Sequence, residues 1–347
     1  MEQQAPPPKR TRTNSGASAA SSTIAVSASA VPAKWRRVFA FDRFNAVQTA
    51  CLDEALRSDH NVLLVAPTGC GKTVAMELAL IRMLGASPLG KAVYLAPLRS
   101  LCAERHRDWS AKFGRKSCVI LSSSGDDEAL LESAASIHDR LAASRVIFTT
   151  PEKWDSVTRS WHDRAELVGQ IALLLIDEVH MLSDTRGGAL EVVVSRMRTV
   201  AQSQRVQSRG WPAATMRSIA LSATVPNPAD IATWLRCPPQ ATFVFGDEMR
   251  GSKLTTHVLA FENKANGFLF ERSLITRVHS AIARYGEGKQ TLVFCTSRAG
   301  TAKIAAQLVC DEKGARGRRR HSAQSGGGGG GSAARGRHTI FDKTPAQ

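Results

Sequence analysis

The stretch APTGCGKT at residues 66–73 decides the fold. The apolar run Val62–Val65 precedes it, and apolar residues at helical spacing follow it until Gly85. A strand, a glycine-rich loop and a helix in this order are typical of an α/β unit that binds phosphate. Gly69 and Gly71 let backbone N–H groups approach phosphate oxygens, and the N-terminus of the helix adds its positive dipole. In such a loop Lys72 reaches the β- and γ-phosphates and Thr73 holds Mg²⁺.

The pattern around this loop predicts an α/β fold with a doubly wound parallel sheet over residues 38–240. Short apolar runs alternate there with helical patterns, and runs so apolar suit strands that are buried on both faces. The predicted strands are Val62–Ala66, Ala92–Ala96, Cys118–Leu121, Arg145–Thr149, Ile171–Ile176 and Arg217–Leu221. Residues 241–310 predict the start of a second unit, with a helix at Phe270–Ala283, a strand at Thr291–Cys295 and a helix at Ala299–Val309.

Composition excludes several classes of protein. Among the 347 residues, 43% are hydrophobic and 22% are charged, which excludes a wholly disordered chain. The longest aliphatic run, Ile171–Ile176, is far shorter than the roughly 20 residues that span a bilayer, so an integral membrane protein is excluded. Seven cysteines without a CxxC pair suggest neither a zinc site nor a disulfide framework, and a reducing compartment fits best.

The net charge of +16 is concentrated in two predicted tails. Residues 1–37 are rich in Ala, Ser and Pro and predict a disordered basic tail, and residues 311–347 predict a low-complexity, glycine-rich basic tail. A basic balance favours a polyanionic partner such as nucleic acid, although basic tails can also simply increase solubility. The run KRTR at residues 9–12 is compatible with a nuclear import signal, and the acid-poor N-terminus with an organelle transit peptide.

Two further stretches carry chemistry. In IALLLIDEVH at residues 171–180, an apolar strand delivers Asp177 and Glu178 to the edge of the sheet where ligands bind. Asp177 is a candidate Mg²⁺ ligand, and Glu178 a candidate to orient or deprotonate an attacking water. In LSATVPNPADIATWL at residues 221–235, Ser222 and Thr224 follow a strand. Their hydroxyls can bond the two carboxylates or cap the next helix.

The order of APTGCGKT, DEVH and SAT resembles the superfamily 2 helicases. Longer strings narrow the resemblance to the Ski-type branch, and the one at residues 186–200 is most similar to the meiotic crossover helicases of the Mer/Hfm type. These strings are FNAVQTACLDEAL (44–56), YLAPLRSLCAERHRDWSAKFG (94–114), FTTPEKWDSVTRSW (148–161), RGGALEVVVSRMRTV (186–200) and TLVFCTSRAGTAKIAAQL (291–308). The resemblance implies a RecA-like domain at 38–240 and part of a second one at 241–310. It also implies ATP-driven 3′ to 5′ unwinding of DNA in the nucleus.

Residue roles carry over by position in the motifs. The resemblance implies that Gln48 contacts adenine and that the nucleotide is held by Ala66, Pro67, Thr68, Gly69, Cys70, Gly71, Lys72 and Thr73. It assigns Mg²⁺ to Thr73 and Asp177 and catalysis to Lys72, Asp177 and Glu178. It assigns coupling of hydrolysis to movement to His180, Ser222 and Thr224, and contact with the strand to Pro97, Arg99, Thr150 and Pro151. Taken alone, Arg99 is better explained as a solvated surface charge, and the motif favours contact with the strand.

Three departures from the family pattern temper these expectations. Cys70 stands where the family usually has serine, and LSSSGDD at residues 121–127 lacks the usual TGD pattern. Motifs V and VI, the second of which supplies an arginine to the nucleotide, are not found, so the chain is expected to be a truncated form. An RNA helicase of the spliceosomal or exosome-associated type, or a non-catalytic fragment that binds ATP and nucleic acid, are the alternatives.

Overall fold

The computed structural model describes residues 26–121, 141–262 and 267–324. The chain divides into two compact units, with Leu254 at the end of the first and Thr255 at the beginning of the second. The predicted stretches KRTR at 9–12, most of LSSSGDD at 121–127 and the six-glycine run lie outside the described residues.

The first unit is built on a sheet of seven parallel strands. The strands are β1 (Val62–Val65), β2 (Lys91–Leu95), β3 (Cys118–Ile120), β4 (Val146–Thr149), β5 (Ile171–Ile176), β6 (Arg217–Ser222) and β7 (Thr242–Val244). Their order across the sheet is β3-β4-β2-β5-β6-β1-β7. The predicted strands are thus confirmed to within one residue at each end. The seventh was missed, and since β7 pairs with β1, the first unit extends beyond the boundary predicted at residue 240.

Helices connect the strands. In the first unit they are α1 (Ala46–Leu56), α2 (Thr73–Ala86), α3 (Arg99–Phe113), α4 (Pro151–Thr158), α5 (Ala165–Gly169), α6 (Gly187–Gln202), α7 (Gln204–Ser208) and α8 (Pro228–Leu235). The second unit has α9 (Gly267–Tyr285) and α10 (Arg298–Gln324). Across the parts of the chain that the structure describes, no helix combines the length and apolar character needed to cross a membrane.

Helices cover both faces of the sheet, which confirms the doubly wound fold. Val62 and Leu64 of β1 lie in the core with α1, α2 and α3, whereas Leu63 and Val65 lie in the core with α4, α6 and α8. Alternate residues of a strand point to opposite faces, so the side chains on both faces of the strand are buried. Because helices cover both faces, the loops that follow the carboxyl ends of the strands are where a site can form.

The last part of the predicted disordered tail, residues 26–37, is ordered instead. Residues 26–37 pack on the first unit, where Val31 is only 1% exposed. Arg36 donates hydrogen bonds to the carbonyls of Val31 and Ser29, both at 3.2 Å, and holds the 3₁₀ turn Ala33–Val38 against the preceding segment. A segment of low hydrophobicity cannot build its own core, but it can order when a few apolar side chains fit an existing surface.

The second unit departs from the prediction at two places. Thr291–Cys295 is not a strand, and no strand pairs with it among the described residues. Leu292 and Phe294 are instead 78% and 87% exposed. A β-strand needs a neighbour for its backbone hydrogen bonds, and local propensity cannot replace one. The helix predicted to end at Val309 continues to Gln324, through a stretch that holds several Arg, Lys and Ala residues and no proline, and that includes Gly314 and Gly317.

Candidate functional site

The three phosphate-site motifs meet at one edge of the sheet. β5, β6 and β1 are neighbours, so Asp177, Ser222 and the loop 66–73 follow adjacent strand ends. The Ala66 N–H donates to the Ser222 carbonyl at 3.2 Å and joins the first and third motifs directly. The sequence placed these motifs far apart, and the strand order brings them together.

The loop 66–73 has the geometry that phosphate binding requires. Gly69 and Gly71 have φ angles of 87° and 75°, in the left-handed region that favours glycine. A Cβ at Gly71 would lie 2.4 Å from Gln48 Nε2, so a larger residue would displace that side chain. A Cβ at Gly69 would meet nothing within 4 Å. The loop is thus open at Gly69 and leads into the N-terminus of α2, which begins at Thr73.

Lys72 is held at the centre of this loop. Its Nζ donates to the carbonyls of Ala66 at 2.8 Å and Pro67 at 3.0 Å. Burial lowers the pKa of Lys72, while the negative charges of Glu178 and Asp177 act in the opposite direction. The ammonium group therefore lies within the field of both carboxylates and next to the loop that would receive phosphate.

Asn45 and Gln48 clamp the loop from α1. Asn45 and Gln48 form a reciprocal capping box at the start of α1. The Asn45 Nδ2 also donates to the Cys70 carbonyl at 3.1 Å, and the Gln48 Nε2 to the Gly71 carbonyl at 3.3 Å. The side chain of Gln48 is thus engaged with the loop itself. Cys70 is buried and its thiol donates to the Met249 carbonyl at 3.1 Å, which shows how cysteine fits at this position.

Asp177 is fixed by one donor on each carboxylate oxygen. The Glu178 N–H donates to Oδ1 at 3.0 Å, and the Tyr94 hydroxyl donates to Oδ2 at 2.6 Å. Glu178 itself has a left-handed backbone, with φ 55° and ψ 48°, and immediately precedes the 3₁₀ turn Val179–Ser183. A non-glycine residue in this region is unusual and often marks a functional site. Burial, followed by the charge of Asp177, raises the pKa of Glu178, which suits a proton acceptor.

His180 connects the second and third motifs. Its Nδ1 accepts a hydrogen bond from the Ala223 N–H at 3.4 Å and lies 3.4 Å from Glu178 Oε2. Ser222 is completely buried, and its hydroxyl has no hydrogen-bond partner. Thr224 is exposed. The N-cap of α8 is Asn227, and neither hydroxyl bonds Asp177 or Glu178, so the structure shows neither of the two roles predicted for these hydroxyls.

The residues assigned to a nucleic-acid strand lie at the neighbouring part of the same edge. Pro97 and Arg99 follow β2, and Thr150 and Pro151 follow the adjacent β4. Arg99 and Thr150 line a common small groove of about 20 Å³, whereas Pro151 is buried as the first residue of α4 and Pro97 lies outside the groove. The remaining lining residues are Cys102, Ile120, Leu121, Thr149 and Lys153.

Three residues of the site were missed by the sequence analysis. Lys153 adds a second cation to the groove, and its signal was a basic residue in the first turn of a helix that begins at a strand end. Asn45 had the capping-box spacing with Gln48. Tyr94 had a weaker signal, as the one polar-tipped aromatic residue in the strand KAVYL.

Comparison with known proteins agrees with this geometry. The family model for DEAD/DEAH box helicases matches residues 45–231. The chain is 39% identical to the ATP-dependent DNA helicase homolog MER3 of Arabidopsis thaliana, over 81% of this chain and 25% of the relative. It is 41% identical to the probable ATP-dependent DNA helicase HFM1 of Homo sapiens, over 82% of this chain and 20% of the relative. The chain thus spans a fifth to a quarter of the length of these relatives.

The fold agrees with a solved helicase. The DUF1998 helicase MrfA bound to DNA matches with a TM-score of 0.56 and 16% identity, over 80% of this chain and 38% of that one. At this level of identity the likeness shows the fold alone. The resemblance seen in the motifs, including its tendency towards the Mer/Hfm type, is confirmed by the sequence relatives. The chain belongs to the DEAD/DEAH box helicase family.

Proposed function

We propose that this chain carries the ATP-hydrolysing domain of a DNA helicase that moves 3′ to 5′ and acts in meiotic crossover formation in the nucleus. The observation that carries the proposal is the assembly of all three motifs at β5-β6-β1, next to the small groove at β2-β4 whose lining includes Arg99 and Lys153. The DNA specificity rests on the similarity to MER3 and HFM1. The direction of movement rests on the motif resemblance.

The phosphate chain of ATP fits the loop 66–73. The backbone N–H groups around Gly69 and Gly71 and the N-terminus of α2 would receive phosphate oxygens. Lys72 would exchange its two carbonyl partners for phosphate oxygens, because a charged acceptor forms the stronger hydrogen bond. Gln48 would hydrogen-bond adenine only if its Nε2 released the Gly71 carbonyl. Otherwise its role is to hold the loop 66–73 in place.

The residues around Asp177 fit a bound Mg²⁺ ion. A hard cation prefers oxygen ligands, and Thr73 and Asp177 offer a hydroxyl and a carboxylate beyond the ends of β1 and β5, which lie on either side of β6. When bound, Mg²⁺ neutralises part of the phosphate charge. Glu178, with its raised pKa, would orient the attacking water and accept its proton. His180 would transmit the change at Glu178 to the segment Ser222–Thr224.

The nucleic-acid strand would lie on the surface beside the small groove at β2-β4. Arg99 and Lys153 supply positive charge, and the N-terminus of α4 at Thr150 supplies backbone N–H groups. Such contacts are made with the phosphate backbone, so affinity should fall with salt. Unwinding requires a second domain that closes on the nucleotide. A chain of residues 1–347 alone is therefore proposed to bind ATP and a strand, and to unwind poorly.

The test compares nucleic acids as activators. ATP hydrolysis by the 347-residue chain would be measured alone, with single-stranded DNA and with RNA of the same sequence. Stimulation by DNA that exceeds stimulation by RNA is expected. Stronger stimulation by RNA would contradict the DNA assignment and favour the RNA helicase alternative. Nucleotide binding without stimulation by either would leave a non-catalytic binding protein as the better description.

A further inference from the structure

Tyr94, the first residue of the string 94–114, has a buried hydroxyl to which the motif resemblance assigns no role. The residue lies on β2, is 1% exposed, and donates from its hydroxyl to Asp177 Oδ2 at 2.6 Å. β2 and β5 are adjacent parallel strands, and Tyr94 pairs with Leu175, two residues before Asp177. The hydroxyl thus reaches across the strand end to the carboxylate.

Packing alone explains the ring of Tyr94 but not its hydroxyl. The ring contacts Trp109 and Phe148, with centroids 5.7 Å and 5.6 Å away. A phenylalanine would make the same contacts. A buried hydroxyl requires a hydrogen-bond partner, and here that partner is a carboxylate, which makes the bond a strong one.

Arg105 of α3 lies near the same carboxylate. Burial opposes the charge of Arg105, but the charges of Asp177 and of Asp108, its ion-pair partner at 3.4 Å, act in the opposite direction. The helix is fixed in turn, because Trp109 Nε1 and Lys112 Nζ donate to the buried Glu77 Oε1 of α2 at 3.0 Å and 2.7 Å. Arg99, at the groove, is the first residue of this same helix.

We propose that Tyr94 is a positioning residue for Asp177. Its hydroxyl fixes Oδ2 while the Glu178 N–H fixes Oδ1, so the carboxylate is held in one orientation. Each oxygen keeps a lone pair for the cation or its bound water. Residues that orient a metal ligand in this way typically change metal affinity 10- to 100-fold when they are removed. The inference rests on the proposed role of Asp177 with Mg²⁺.

The test measures the Mg²⁺ dependence of nucleotide binding, without any need for hydrolysis. Tyr94→Phe removes one oxygen atom and keeps the ring. The matched control is Tyr285→Phe, because Tyr285 is the other tyrosine of the chain and stacks on His257 in the second unit. Binding of a fluorescent ATP analogue would be followed while Mg²⁺ is titrated, and again in EDTA. Tyr94→Phe is expected to need roughly 10- to 100-fold more Mg²⁺ for half-maximal binding, with unchanged affinity in EDTA.

Each other outcome has a definite meaning. An unchanged Mg²⁺ requirement in Tyr94→Phe overturns the proposal. An equal loss of affinity with Mg²⁺ and in EDTA, with a lowered melting temperature, shows a purely structural role and also overturns it. Asp177→Asn serves as the reference: if it leaves the Mg²⁺ requirement unchanged, the proposed function of Asp177 itself fails. Should Tyr94→Phe not fold, Tyr94→Met fills the same site without a hydroxyl donor, and an unchanged requirement there overturns the proposal.

Discussion

The carboxyl edge of the sheet has two halves, one at β5-β6-β1 and one at β2-β4, and the two are built differently. At β5-β6-β1, the loop 66–73 is held by partly buried side-chain bonds from Asn45 and Gln48 and by a backbone bond to Ser222. At β2-β4, the groove is lined by side chains such as Arg99, which is exposed, and Lys153, which is partly exposed. A compact phosphate chain needs hydrogen-bond donors at fixed positions. An extended polyanion can be held by flexible basic side chains that adjust their position to its phosphates. The difference therefore matches the two ligands proposed for the edge.

Glu178→Gln should have the largest effect, a loss of ATP hydrolysis with no loss of affinity for either ligand. The amide keeps the size of the side chain but cannot accept the proton of water, so hydrolysis should fall by about 10²- to 10⁴-fold. Affinity for a nucleotide and for a strand should be retained. The check is single-turnover hydrolysis together with nucleotide binding. Glu166→Gln, at an exposed position on α5, is the control. Normal hydrolysis in the Glu178 variant would mean that another group accepts the proton.

Lys72→Ala should affect the nucleotide half alone. A hydrogen bond to a charged group contributes about 1.5–3 kcal/mol, so ATP affinity should fall by roughly 10- to 100-fold. Affinity for single-stranded DNA in the absence of nucleotide should be unchanged. Both are measurable by fluorescence anisotropy, with the exposed Lys116→Ala as control. Equal nucleotide affinity in variant and wild type would remove the loop 66–73 from the site.

Arg99→Ala and Lys153→Ala should produce the smallest effects, confined to the strand half. Each removes one phosphate contact, so the slope of log affinity against log salt should decrease by about one for each residue. Nucleotide affinity should not change. Titrations of single-stranded DNA at several salt concentrations would measure the slope, with the exposed Arg115→Ala as control. An unchanged slope in both variants would place the strand elsewhere and leave Arg99 as a solvated surface charge.

Tyr94 lies where the two halves meet. Its strand, β2, leads into α3 and Arg99, while its hydroxyl bonds Asp177 of β5. The sequence could not reveal this bond, because a tyrosine in an apolar strand is ordinarily a core residue. The bond depends on the adjacency of β2 and β5, which is a property of the sheet order.

Two similarly apolar segments, one in each unit, have different backbone structures. Ile171–Ile176 is a buried strand between two neighbours, as predicted. Thr291–Cys295 is similarly apolar, yet it forms no strand and exposes Phe294. Apolar pattern identifies a segment that can become a strand. Only neighbouring strands supply the backbone partners that make it one.

The sequence by itself determined the α/β class, the positions of six strands, the phosphate loop and the pair Asp177 and Glu178. These features depend on short-range patterns: apolar runs, glycines that permit positive φ, and the spacing of motifs. The tertiary structure decided which motifs meet, how Asn45 and Gln48 clamp the loop, and that Tyr94 reaches Asp177. Those contacts join residues far apart in the chain, and they exist only because the strand order brings distant strand ends to one edge of the sheet.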